Sequence, residues 1–177
     1  MDLPDSYNQA WLFAATAHAG QTLTASPLPY VVHLAMVANE VLALDREQPL
    51  PRLAETVQIA LLHDVIEDTP VRRAELQPLF GGFVADGVQV LSKIVDEAKL
   101  PLEEYLRRLA EGPWQYALVK LCDRITNLQP PPATWSREKI IGYHAEAQRI
   151  LEVLGFVHEG AARRLRHKID NYHRYCR

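Results

Sequence analysis

Ala60-Leu61-Leu62-His63-Asp64-Val65-Ile66-Glu67-Asp68-Thr69-Pro70 is the stretch whose reading decides the fold. A His-Asp pair is followed one turn later by a Glu-Asp pair, and most of the other residues are Ala, Leu, Val and Ile. Read as a helix, His63 and Glu67 stand at i and i+4, as do Asp64 and Asp68, so the four polar side chains share one face and the apolar ones take the other. Clustered carboxylates beside an apolar run repel one another and desolvate badly. A divalent cation held among them removes the conflict. The plainer reading, a helix end with solvated acids ahead of Thr69-Pro70, gives way because further candidate ligands lie elsewhere in the chain.

Outward from this segment the apolar spacing stays helical. The central helix is expected over residues 53–68. Upstream, Ser6 is a candidate N-cap for a helix over residues 6–19, with Ala10, Trp11, Ala14, Ala17 and His18 at helical spacing and Gly20 as its stop. Residues 21–29, with Thr, Ser and two prolines, mark a loop suited to face a substrate. Pro29 then opens a buried helix through Ala38 whose one ionisable residue is His33. Downstream, Thr69 is expected to cap a short helix from Pro70 that stops at Phe80-Gly81-Gly82. Residues 84–94 place Val84, Val88, Leu91 and Ile94 on one stripe. Further helices run from Leu100-Pro101 to Gly112-Pro113, from Trp114 to Leu128, from Ser136 to Gly155 and from His158 to Arg177. No segment alternates with period two for long enough to make a strand. The chain therefore reads as all-α, one helical bundle of about nine helices over residues 1–177.

Composition limits the function classes. The 177 residues are 48% apolar and 23% charged, ordinary for one full-sized core. The net charge of −3 argues against a nucleic-acid or membrane surface, which usually carries a basic field. Cys122 and Cys176 are too few for a disulfide framework, and no CxxC spacing suggests structural zinc, so a reducing, cytoplasmic compartment is expected. Residues 1–5 lack a basic region leading into an apolar core, and no run of about 18 apolar residues occurs, so neither a leader nor a membrane span is expected.

Three helices each place ionisable residues in apolar surroundings: His33, then His63 with Asp64, then Asp123. Two imidazoles and two carboxylates leave positions open on a six-coordinate ion, and a mixed N/O set suits Mn²⁺, Fe²⁺ or Mg²⁺ rather than a closed thiolate zinc site. Open positions suit hydrolysis. Glu67 and Asp68, one turn beyond, are placed to accept a proton from a nucleophilic water or to orient it. The competing role for Asp68 is N-capping of the helix at Pro70. Asn127 stands at i+4 from Asp123, which points both at one site.

The segments Pro29-Tyr30-Val31-Val32-His33, Ala60 to Thr69, Phe80-Gly81, Ser92-Lys93 and Lys120-Leu121-Cys122-Asp123-Arg124-Ile125-Thr126-Asn127, in this order and spacing, resemble the hydrolase domain of the RelA/SpoT homologue superfamily. The similarity runs over about residues 17–143. With no synthetase domain following, it is most similar to the stand-alone small alarmone hydrolases. The resemblance implies an all-α HD-domain fold, one Mn²⁺ per chain, and removal of pyrophosphate from the 3′ position of (p)ppGpp. It implies metal ligation by His33, His63, Asp64 and Asp123, catalysis through Glu67 and Asp68, and substrate contact by Asn127, Lys93, Lys120 and Tyr143. Lys120 also has a rival reading as a solvated helix residue.

The chain departs from the family pattern in one loop. Where an Arg, often with a Lys, usually follows the Gln, this sequence reads Gln21-Thr22-Leu23-Thr24-Ala25-Ser26-Pro27-Leu28, and Gln129 stands where a basic residue is common. Leu23 and Thr24 in place of cations imply a pocket that accepts (p)ppApp as well as (p)ppGpp. The expected partner is a small-molecule nucleotide, with no nucleic acid and no membrane, and the sequence assigns no oligomeric state. Two other functions compete: a general HD phosphohydrolase acting on nucleoside monophosphates or cyclic nucleotides, and a non-catalytic alarmone-binding module.

Overall fold

Asp2, rather than Ser6, starts the first helix. The Asp2 carboxylate accepts the Asp5 amide at 3.0 Å, Pro4 lies in the first turn where its missing N–H costs nothing, and Ser6 is buried within the helix. The structure, a computed structural model, describes residues 2–95 and 98–177. In chain order it forms α1 (Leu3–Ala17), α2 (Val31–Glu47), α3 (Leu53–Leu62), the single-turn α4 (Val65–Asp68), α5 (Arg73–Leu91), β1 (Ile94–Val95), β2 (Ala98–Lys99), α6 (Leu102–Glu111), α7 (Trp114–Asn127), α8 (Arg137–Leu154) and α9 (Glu159–Tyr172). Short 3-10 turns follow α8 at Gly155–Val157 and α9 at His173–Cys176. The all-α expectation holds. The antiparallel pair of β1 and β2, with Ile94 opposite Lys99 and Val95 opposite Ala98, was not expected, because two-residue strands are too short to show alternation.

Other boundaries differ for local reasons. Thr69 caps no helix from Pro70: its hydroxyl donates to the Val65 carbonyl at 2.6 Å and accepts the Val71 amide at 3.2 Å. The next helix starts at Arg73, with the Glu75 carboxylate accepting the Arg72 amide at 2.8 Å. The two helices expected at 70–80 and 84–94 both lie within α5 and are separated at Gly81, as expected: its φ of 81° and ψ of 164° are non-helical and favour glycine. α5 ends at Leu91, whose carbonyl accepts the Tyr105 hydroxyl at 2.9 Å.

Two helices form the centre. Every residue of α3 from Thr56 to Leu62 is buried, as is every residue of α7 from Gln115 to Thr126. α1, α2 and α5 pack on α3, and α2, α8, α9, α5 and α6 pack on α7, which also touches α3. A helix buried on all sides offers its polar residues no water, so Lys120, Asp123 and Arg124 on α7 must find partners in protein or ligand. No helix among the described residues is long and apolar enough to cross a membrane.

Candidate metal centre and active site

α3 stops where the His63 side chain takes over a backbone bond. His63 Nδ1 lies 2.8 Å from the Ala60 carbonyl, the acceptor that a continuing helix would give to the Asp64 amide. Asp64 then adopts φ −99°, ψ −3°, and α4 begins at Val65. An unbroken helix would set the neighbouring side chains of His63 and Asp64 about 100° apart around its axis. The break brings His63 Nε2 to 2.9 Å from Asp64 Oδ2 instead. The expected single helix over residues 53–68 with one polar face is therefore corrected to a helix, a break and a turn.

His33 on α2 and Asp123 on α7 meet that pair. His33 Nε2 is 3.2 Å from Asp123 Oδ1 and 3.7 Å from Asp64 Oδ2, and His63 Nε2 is 3.7 Å from Asp123 Oδ1. All four expected ligands converge on one point. Their orientation is set from behind. A carbonyl only accepts, so the Ala60 contact places the hydrogen on His63 Nδ1 and leaves the Nε2 lone pair facing the cluster. The Thr126 hydroxyl donates to the Asp123 carbonyl at 2.8 Å, so its oxygen accepts from His33 Nδ1, 3.5 Å away. Tyr30 donates to Asp64 Oδ2 at 2.5 Å, Lys120 to Asp123 Oδ2 at 2.6 Å and Asn127 to Asp123 Oδ1 at 2.5 Å. Such outer contacts fix ligand geometry in metal sites.

These residues fit a divalent ion. Among the described residues His63 Nε2 is buried without a hydrogen-bond partner, and a lone pair facing a carboxylate oxygen at 2.9 Å calls for a cation between them. Without an ion, a proton on His63 takes the place of the cation. Burial alone would lower the His63 imidazolium and raise Asp64, yet their mutual attraction pushes His63 up to about 10, with Asp123 adding to the rise, and Asp64 down to about 2 against the opposing charge of Asp123. Burial would raise Asp123 too, but the Lys120 ammonium and then the two histidines hold it well below the usual carboxylate range. Two nitrogens and two oxygens suit Mn²⁺, Fe²⁺ or Mg²⁺ in a site with open positions.

Glu67 and Asp68 lie on α4. Glu67 Oε2 accepts the backbone amide of Lys93 at 2.6 Å, which ties α4 to the segment entering β1. Asp68 is exposed, and partial desolvation, then the charges of Asp64 and Glu67, raises its carboxyl. It does not cap the next helix, whose N-cap is Arg72.

The residues expected at the substrate divide into three groups. Asn127 and Lys120 both bind Asp123, and Lys120 is buried rather than solvated. Lys93 and Tyr143 join a basic cluster: Lys93 Nζ and Arg124 Nη2 share Glu146 Oε1 at 2.9 and 2.6 Å, and the Arg124 guanidinium sits 4.3 Å from the Tyr143 ring centroid. Burial, then the nearby Lys120 charge, lowers the Lys93 ammonium, while Arg124 and Lys93 overcome burial to lower Glu146. Leu23 and Thr24 occupy a turn closed by Leu23 N–H to the Leu28 carbonyl at 2.9 Å. Gln21 pins this turn to α4, donating to the Asp68 carbonyl at 3.0 Å and accepting from His18 Nδ1 at 2.8 Å.

Sequence reading missed Tyr30, Thr126, Arg124 and Glu146. Three of them stand three residues from a recognised candidate: Tyr30 from His33, Thr126 from Asp123, Glu146 from Tyr143. That helical spacing was the available signal. Arg124, adjacent to Asp123, gave none beyond being a cation in a buried helix.

A family model described as an HD domain matches residues 10–155. The bifunctional (p)ppGpp synthase/hydrolase SpoT of Escherichia coli (strain K12) is 35% identical over 128 residues, covering 68% of this chain and 17% of SpoT. The chain thus spans only a small part of that relative. The guanosine-3′,5′-bis(diphosphate) 3′-pyrophosphohydrolase MESH1 of Danio rerio is 32% identical over 151 residues, 80% of each protein. Among solved structures, a metazoan orthologue of SpoT, described as hydrolysing ppGpp and as having a role in starvation responses, superposes with a TM-score of 0.79 at 23% identity over 94% of both chains. The two share a fold.

Proposed function

The chain belongs to the HD domain family, in the RelA/SpoT-type hydrolase group, and on that premise we propose that it removes pyrophosphate from the 3′ position of nucleotide alarmones, ppGpp and also ppApp, with Mn²⁺ as its metal and residues 1–177 acting as one domain. The observation that carries this reading is the convergence of His33, His63, Asp64 and Asp123 beside Glu67 and Asp68. MESH1, similar over most of its length, is named for the same reaction.

In this mechanism His33, His63, Asp64 and Asp123 hold the metal, which when bound polarises the phosphoryl group and acidifies water. Tyr30, Thr126, Lys120 and Asn127 keep the four donors aimed, so little reorganisation accompanies the reaction. Glu67 and Asp68 take a proton from the attacking water or orient it, and the raised carboxyl of Asp68 makes it the stronger base of ordinary aspartates. Water attacks the phosphorus bonded to the ribose 3′ oxygen, that P–O bond breaks, and nucleotide and pyrophosphate result. Lys93, Arg124 and Tyr143 present cationic and aromatic groups suited to the substrate's phosphates and ring, with Leu23 and Thr24 beside the base.

Product analysis tests the proposal. Purified protein with Mn²⁺ is expected to release pyrophosphate from ppGpp, and activity removed by a chelator should return on adding Mn²⁺. Orthophosphate release, or faster turnover of nucleoside monophosphates or cyclic nucleotides, would support the general phosphohydrolase instead. Tight ppGpp binding without turnover would mark a binding module.

A further inference from the structure

A second group of metal-binding side chains lies away from the four convergent donors. His144 on α8 and His173 and Cys176 on the 3-10 turn after α9 each offer one donor atom, and the three atoms lie within 4.8 Å of one another. The turn makes the arrangement possible. With three residues per turn, a 3-10 helix eclipses positions i and i+3, so His173 and Cys176 project from the same side toward α8. The imidazoles of His144 and His173 stand 5.5 Å apart between centroids, and His144 lies parallel to Tyr172 at 6.4 Å. His144 Nε2 is buried without a hydrogen-bond partner among the described residues, an arrangement that costs free energy unless something binds the nitrogen.

We propose that His144, His173 and Cys176 form a second metal site, selective for Zn²⁺ or a similarly soft divalent ion, that staples the C-terminal 3-10 turn to α8. Donors on a tetrahedral zinc ion stand about 3.3–3.5 Å apart, so a small side-chain rotation closes the trio and leaves a fourth position for water. Two imidazoles and a thiolate discriminate against Mn²⁺ and Mg²⁺, whereas the mixed nitrogen and carboxylate set of His33, His63, Asp64 and Asp123 accepts them. The chain thus carries two sites that sort metals by ligand softness. His144 follows Tyr143 directly, so the staple bears on the helix that carries the basic cluster's aromatic wall. The His-x-x-Cys spacing escapes a search for paired cysteines.

Cobalt spectroscopy separates the sites, because only the second contains a thiolate. Reduced, Mn²⁺-loaded protein titrated with Co²⁺ is expected to develop an intense thiolate-to-cobalt charge-transfer band that Zn²⁺ displaces. Cys176→Ser should abolish the band, and His144→Ala and His173→Ala should each weaken Co²⁺ binding at least tenfold. Zn²⁺ at a hundredfold excess over its dissociation constant should raise the melting temperature of the Mn²⁺-loaded protein by about 5–10 °C, and most of that rise should vanish in Cys176→Ser. Absence of the band in wild type overturns the proposal. So does a band that survives Cys176→Ser, since the thiolate would then be Cys122, which is fully buried with its thiol pushed up by burial.

Discussion

Asp123 shows how much one residue carries. Its Oδ2 is saturated by Lys120, while its Oδ1 takes Asn127 and faces both histidines. Lys120 and Asp123 have side chains only 10% and 7% exposed, so deleting the ammonium leaves a carboxylate buried and unpaired. Lys120→Met is expected to cost about 3–5 kcal/mol of stability in metal-free protein, measured by urea unfolding, and less with Mn²⁺ bound, because the ion supplies part of the missing positive charge. His63→Ala and Asp64→Ala should each lose metal and activity together. Stoichiometric Mn²⁺ retained by both variants after dialysis would contradict their assignment as ligands. Glu67→Gln still offers an oxygen to the Lys93 amide, so the segment before β1 should stay in place and the metal should remain, while kcat falls about 10²–10⁴-fold. Wild-type turnover would reduce Glu67 to that backbone contact. The donor types at these positions were legible in the sequence because His and Asp stand out in apolar helices. Their partners were not, since the contacts to Asp64 and His33 come from other segments of the chain.

Among the elements, the break after α3 matters most. Periodicity predicted one helix through Asp68, and the His63 ring overrode it by taking the Ala60 carbonyl. Helix propensity is a weak prior against such a local competitor. Packing between elements is equally exacting at Gly87, where α5 crosses α3 and α7. A Cβ there would stand 2.7 Å from the Tyr116 ring and 2.8 Å from Ile59, and Tyr116 cannot swing aside without losing its hydroxyl contact to the Phe83 carbonyl at 2.8 Å. Gly87→Ala is therefore expected to destabilise by about 1–3 kcal/mol despite the better helix propensity of alanine. Gly82→Ala, with nothing within 4 Å of the new methyl, is the control. Equal melting temperatures for the two variants would mean that the crossing has room to relax.

For the whole molecule, the question is which base the proposed pocket admits. The turn carrying Leu23 and Thr24 is pinned through Gln21 to α4, the turn that carries Glu67 and Asp68. An aliphatic and a hydroxyl group there give no edge-specific donor to guanine, and stacking or apolar contact accepts either purine. ppGpp and ppApp are expected to be hydrolysed with kcat/KM within about tenfold of each other, equivalent to about 1.4 kcal/mol. Leu23→Arg should shift preference toward guanine by stacking on the guanidinium plane. A thousandfold rejection of ppApp by wild type would place the guanine reader elsewhere in the chain.

By itself the sequence determined the helical class, the identity of the four convergent donors and the acidic pair that follows them. Each of these is written in local periodicity and in residue types that are costly to bury without a purpose. The tertiary structure alone decided the meeting of His33 and Asp123 with the His63-Asp64 pair, the Tyr30 contact to Asp64 and the sharing of Glu146 between Lys93 and Arg124. Those features depend on which carbonyl or carboxylate a side chain can reach once α2, α3, α7 and α8 pack together. Hydrogen-bond geometry acts over about 3 Å, whereas the sequence separates many of the partners by tens of residues.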